Sequence, residues 1–221
     1  MLVKQNVIYV GAHPDDILSV AGTLCLLGEA GFQLHEFCLT RGEGLPNGGV
    51  LRPPEEEKVC EILGATLTFF DQPDGAIYAD KAICTRVAEA FKRLNPVAVF
   101  TTWALEKPDH AATCQIAHKA MSLAGIFWTS ELYMCKVDIQ NYAFRPDTHV
   151  NVGSVMGKIE AVAACYDSQS KNPYVQNALR RKKDLGISLF VEAAEPLMYG
   201  MDPINKRFGR ESEVGRILRK C

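Results

Sequence analysis

Val7-Ile8-Tyr9-Val10-Gly11-Ala12-His13-Pro14-Asp15-Asp16 decides the reading of this chain. Four apolar residues in a row describe a strand buried on both faces, the form that strands of parallel sheets take. The run ends in a histidine and two carboxylates, at the carboxyl end of that strand. Open α/β sheets carry their chemistry there. Pro14 stiffens the turn, so an imidazole on His13 and a carboxylate on Asp16 can converge on one cation while Asp15 stays available as a base. The same residues allow a plainer account, in which Asp16 caps the next helix and His13 fills a turn.

Outward from this segment, strand-like and helix-like stretches alternate. Leu18 to Ala30 reads as a helix closed by Gly31, and Gln33 to Leu39 as a second strand. After a Gly-rich loop over 42–54, Pro53 and Pro54 suit a helix start, and Glu55-Glu56-Glu57 suits its positive end. Thr66 to Phe70 and Val97 to Thr101 read as further strands. Ile83, Val87, Ala90, Phe91 and Leu94 repeat at helical spacing within a helix over 78–94. The strand at Val97 leads into Lys107-Pro108-Asp109-His110 and a helix to Leu123, so a second histidine lies at a second strand end. Short strands at 132–137 and 149–152 and helices at 155–164 and 174–185 complete the pattern. The expected fold is a Rossmann-like three-layer α/β/α sandwich around a mostly parallel sheet, in one domain over residues 1–221 with a polar, basic tail at 202–221.

His13, Asp16 and His110 together are a nitrogen and oxygen ligand set that suits a catalytic zinc ion. Fe2+ and Mn2+ share such ligands. An ion held there brings the pKa of water toward ~7. Asp15 is then placed to accept a proton as that water attacks an amide carbonyl.

The residues also carry a resemblance. Ala12-His13-Pro14-Asp15-Asp16 is similar to the first signature of the LmbE-like, PIG-L family of zinc-dependent de-N-acetylases, and Lys107-Pro108-Asp109-His110 resembles its second, His-Pro-Asp-His. Leu39-Thr40-Arg41-Gly42-Glu43, Leu63-Gly64, Pro73-Asp74-Gly75, Tyr166-Asp167-Ser168-Gln169 and Ala194-Glu195-Pro196 follow in the family's order. The resemblance implies removal of an acetyl group from the nitrogen of an N-acetylglucosamine-type sugar or glycoconjugate. It places Asp15, Lys107 and Asp109 among the catalytic residues, with Asp15 as general base, and Arg52 and Asp74 at the sugar. It also implies a homo-oligomer.

Two positions depart from the family pattern. Lys107 stands where the second signature begins with histidine; a lysine stabilises negative charge as a point cation, but its ordinary pKa near ~10.4 makes it a poor proton shuttle. Ile17 stands where a glutamate usually follows the two aspartates. Both touch catalysis more than metal binding, and they leave open a protein that binds metal and sugar without turnover. A nucleotide-binding sheet is disfavoured because the first turn lacks Gly-x-Gly-x-x-Gly.

Composition agrees with an enzyme acting on a small molecule. The chain has 221 residues, 48% of them hydrophobic, and a net charge of −2, which gives no bias toward nucleic acid. Its apolar runs are too short to span a bilayer and no secretory segment opens it, so a cytoplasmic protein without membrane partners is expected. The eight cysteines form no Cys-x-x-Cys pair and read as reduced core residues. His35, His118 and His149 read as structural, and the five basic residues of segment 171–183 as a solvated helix face.

Overall fold

The computed structural model describes residues 4–137, 143–201 and 212–220. Seven strands form one sheet in the order β3-β2-β1-β4-β5-β7-β6. They are β1 (Asn6–Gly11), β2 (Gln33–Cys38), β3 (Ala65–Phe69), β4 (Ala98–Thr102), β5 (Glu131–Cys135), β6 (Thr148–Asn151) and β7 (Ala194–Met201). The first five run parallel, and β7 runs antiparallel to both its neighbours. The helices are α1 (Ala21–Glu29), α2 (Gly48–Leu63), α3 (Lys81–Leu94), α4 (Pro108–Ala124), α5 (Met156–Ala163), α6 (Pro173–Leu189) and α7 (Glu213–Lys220).

Strand β1 shows why its sequence reads as unbroken apolar. Val7 and Tyr9 enter one core with Leu24 and Leu27 of α1, Val59 of α2 and Ile159 of α5; Ile8 and Val10 enter a second core with Val87 and Phe91 of α3 and Ile116 of α4. Helices therefore cover both faces, as the expected three-layer sandwich requires. Each fully buried aliphatic side chain of this kind contributes roughly 1.5–3 kcal/mol. Strand β1 pairs with β2 on one side and with β4 on the other. The chain order reverses at this point, which opens a crevice at the carboxyl ends of β1 and β4.

The structure moves three expected features. Helix α2 begins at Gly48, ahead of Pro53 and Pro54, which lie inside it rather than at its start. The hydrogen bonds that the prolines forgo would have gone to the carbonyls of Gly49 and Val50, at the half-exposed and exposed end of the helix, which solvent can reach. The expected helix from Leu18 is a 3-10 turn over Asp16–Ser19 followed by α1, and Gly31 takes φ +98 just past its end. Ala194-Glu195-Pro196 opens β7, which the sequence reading did not place as a strand. Pro196 sits where β7 pairs with β6 and has run past the end of β5, so its missing N–H breaks no ladder on that side.

The expected solvated face on α6 is also incomplete. Lys182 is buried, and its Nζ donates to Glu195 Oε1 at 2.6 Å and to the Ser19 carbonyl at 3.0 Å. Glu195 in turn accepts the backbone N–H of Gly22 (2.9 Å) and Thr23 (2.7 Å), and the Thr23 hydroxyl (2.7 Å). A carboxylate from β7 thus caps α1. The basic tail residues 202–211 and Cys221 lie outside the described residues, while Arg216 and Arg219 fall within α7. The seven cysteines among the described residues are unpaired.

Candidate metal centre and active site

The loop after β1 is braced by one of its own carboxylates. Asp16 Oδ2 accepts the backbone N–H of Ala12 and of His13, each at 2.9 Å, so Asp16 closes the turn instead of capping a helix. Its other oxygen, Oδ1, lies 3.3 Å from His110 Nε2, and His13 Nδ1 lies 3.6 Å from Oδ2. His110 arrives from the first turn of α4, where Thr102 Oγ1 donates to its carbonyl at 2.7 Å. The structure therefore brings His13, Asp16 and His110 together, each offering a ligand atom within 4.8 Å of the other two.

These donors fit a divalent cation. Burial alone would lower the pKa of both imidazoles. Hydrogen bonds to Asp109, Asp16 and Asp74 outweigh it at His13 and push that group up to about 12; the Asp16 charge, then Glu106, push His110 up to about 10. Burial would likewise raise Asp16, but His110 and His13 hold it well below the usual carboxylate range. Two imidazoles and the carboxylate between them thus lie together, His13 half-buried and the other two buried, a donor set that would suit a divalent ion when the imidazoles are neutral. Among the described residues a second group, His13, Asp74 and Asp109, meets the same spacing. It shares His13, and its Asp109 is already committed to backbone donors: Oδ2 accepts from Gly75 (2.7 Å) and Oδ1 from Ile77 (3.2 Å).

Asp15 sits beside the three candidate ligands in a left-handed conformation, φ +99, that a non-glycine residue adopts at a cost. Helix α2 holds it there. Arg52 Nη2 lies 2.8 Å from Asp15 Oδ1 and also donates to the Pro14 carbonyl, while Glu56 Oε2 accepts the Asp15 N–H at 3.0 Å. Burial raises the Asp15 pKa to about 7, against the pull of Arg52 and with the help of Asp16. Behind this clamp lies a buried acid pair. Burial pushes Glu36 up to about 7 and Glu56 well above its usual range, and Cys60 donates to Glu36 while Tyr166 donates to Glu56.

A cavity of about 530 Å³ opens over the centre. His13, Asp15, Asp16 and His110 line it together with Arg52, Asp74 and Lys107, so these sequence candidates share one space. Lys107 stands exposed at the N-terminal end of α4. Asp74 reaches His13 Nε2 at 3.2 Å and accepts the Gly44 N–H at 3.0 Å. Asp109 lies behind His13, with Oδ2 3.2 Å from Nε2. Sequence reasoning missed Glu106, Val137, Asn172 and Tyr174. The signal for Glu106 was its position four residues before His110, masked by Pro108, which places it outside the helix where that spacing normally counts. His35, by contrast, is occupied by Thr66 and Asn6 well away from this cavity.

The profile of the family described as GlcNAc-PI de-N-acetylase, PIG-L, matches residues 8–121, which include every candidate ligand and both signature loops. The chain belongs to the PIG-L family. Its matched segment spans β1 to α4, the half of the molecule that carries the candidate metal ligands. A 4-oxalmesaconate hydratase of Pseudomonas putida is 29% identical to this PIG-L chain, the match covering 84% of each. A conserved protein of Thermus thermophilus superimposes with a TM-score of 0.80 at 27% identity, over 93% of this chain and 99% of that one. The N,N'-diacetylchitobiose deacetylase of Pyrococcus horikoshii shares the fold, with a TM-score of 0.72 at 18% identity over 89% and 84% of the two chains. No helix among the described residues is long and apolar enough to cross a membrane.

Proposed function

We propose that this PIG-L protein is a metal-dependent hydrolase that removes the acetyl group from the nitrogen of an N-acetylglucosamine-type sugar or glycoconjugate, releasing acetate and a free amine. The observation that carries this reading is the convergence of His13, Asp16 and His110 with a clamped, unligated Asp15 in one cavity. His13, Asp16 and His110 would hold the ion, with zinc as the proposed metal and Fe2+ or Mn2+ as substitutes. A divalent ion in that position supplies Lewis acidity to a carbonyl and lowers the pKa of water toward ~7.

The chain's own residues supply the rest. Asp15 takes the proton from the attacking water and is held in position by Arg52 and by the Glu56 contact to its amide. Lys107 on the rim offers a fixed positive charge to the oxygen that becomes negative as the amide is attacked. Asp74 is placed to accept hydroxyl protons of the sugar. Arg52 lines the same wall, but part of its guanidinium is committed to Asp15 and Pro14, so its contribution to binding runs partly through the base. Asp109, with both oxygens engaged, acts by orienting His13.

A second reading is addition of water to a carbon–carbon double bond. It is favoured by the relationship to the Pseudomonas hydratase. A panel of N-acylated sugars and unsaturated oxo-acids, run on metal-loaded protein, separates the two. Acetate release that Asp15→Asn abolishes, with bound metal retained, supports the hydrolase. Loss of conjugated ultraviolet absorbance without acetate establishes the hydratase instead, and metal retention with no turnover on either panel leaves a binding protein.

A further inference from the structure

A histidine serves a metal well only when its other nitrogen is held, because the partner on the far nitrogen decides which nitrogen is free to ligate and how basic it is. In this protein the two ligand imidazoles present opposite nitrogens to Asp16. His13 turns Nε2 toward Asp109 and Asp74, each 3.2 Å away, which leaves Nδ1 on the Asp16 side. His110 turns Nε2 toward Asp16, and its Nδ1 lies 2.9 Å from Glu106 Oε2.

Glu106 is well placed for that contact. Its side chain is 0% exposed, and Oε1 accepts the backbone N–H of Val137 at 2.9 Å, which pins the carboxylate between the loop after β4 and the loop after β5. His110 Nδ1 and Glu106 Oε2 are both buried and face each other at 2.9 Å without meeting hydrogen-bond angles. A buried carboxylate costs several kcal/mol unless a charged or strongly polar partner offsets it. A neutral backbone amide such as that of Val137 is a modest offset. An imidazole whose far nitrogen binds a cation is a much larger one.

We propose that Glu106 is a positioning residue for the metal centre: it fixes the His110 tautomer with the proton on Nδ1, so that Nε2 faces the cation, and it strengthens that nitrogen as a donor. The inference rests on the metal site of the proposed function and extends it to a residue that neither signature loop marks as a ligand. It also gives each imidazole a carboxylate on its far nitrogen, Asp109 for His13 and Glu106 for His110.

Zinc binding to purified protein, read by competition with a chromogenic chelator, and the visible spectrum of the Co2+ form test it without any substrate. Glu106→Gln is expected to weaken Zn2+ about 10–100-fold, the range for loss of a partner behind a ligand histidine, and to shift the Co2+ bands. Nitrogen-15 spectra of the wild-type zinc form are expected to show a proton on His110 Nδ1. Zinc affinity within twofold of wild type, with an unchanged Co2+ spectrum, overturns the inference. So does a wild-type spectrum with the proton on Nε2, an outcome that needs no variant to fold. Wild-type protein that takes up neither ion overturns the metal reading beneath it, which distinguishes the two failures.

Discussion

Replacing Lys182 by methionine tests whether the buried pair with Glu195 is a unit. Lys182 is 4% exposed and Glu195 0%, and the carboxylate also receives the Gly22 and Thr23 amides and the Thr23 hydroxyl. Removing one partner of a buried ion pair costs about 3–5 kcal/mol, because the other charge is stranded. At roughly 2–4 °C per kcal/mol for a chain of this length, Lys182→Met should lower Tm by about 6–20 °C. Glu195→Leu should cost at least as much, since it strands the ammonium and also uncaps α1. The double variant strands no charge. Its cost should therefore fall short of the sum of the two singles by about 2–3 kcal/mol, within the range of coupling energies between contacting residues. Urea titrations of all four proteins, each in the same excess of chelator so that metal affinity does not enter, give the cycle directly. Additive costs within about 0.5 kcal/mol would refute the reasoning, since independent sites add to that tolerance.

Two further outcomes follow from packing and charge. Burial raises the pKa of Glu36 to about 7 and that of Glu56 well above the ordinary carboxylate value of 4.5 to which both return in the unfolded chain, so folding binds protons and stability falls as pH rises from there through the raised Glu36 value. Glu36→Gln should flatten the fall in urea midpoint between pH 5.5 and pH 8, and an identical fall in both proteins would contradict it. A methyl group on Gly22 would lie 2.7 Å from Ile159 Cδ1 and from Val152 Cβ, so Gly22→Ala should cost about 1–3 kcal/mol by overpacking, and an unchanged thermal melt would show that α1 and α5 separate freely.

The centre of the sheet was legible because its physics is local. Val7 to Val10 can be apolar throughout only if both faces are covered, and the period of Ile83, Val87 and Phe91 belongs to a helix with one buried side. The convergence of the candidate ligands was legible for a related reason: two loops leaving adjacent parallel strands must end near each other. What escaped was set by distant partners. Ala194-Glu195-Pro196 carries a charge and a proline and looks like a loop, yet the charge is answered by Lys182 and the proline falls beyond the end of β5. Lys182 looks like its solvated neighbours, because nothing within α6 records a carboxylate arriving from β7. Glu106 lies outside the helix that carries His110, so only the folded turn brings its carboxylate to the ring.

The capping of α1 by Glu195 has a consequence for synthesis. Every residue of the proposed ligand set leaves the ribosome before position 111, but the helix that follows the first ligand loop gains its N-terminal carboxylate only after β7 has emerged. A nascent chain can bring His13, Asp16 and His110 within reach of one another long before the turn joining Asp16 to α1 is locked through Ser19, Lys182 and Glu195. Until β7 is released, the half-made sheet should hold a cation only loosely, its first ligand loop still lacking the brace that Lys182 and Glu195 give it.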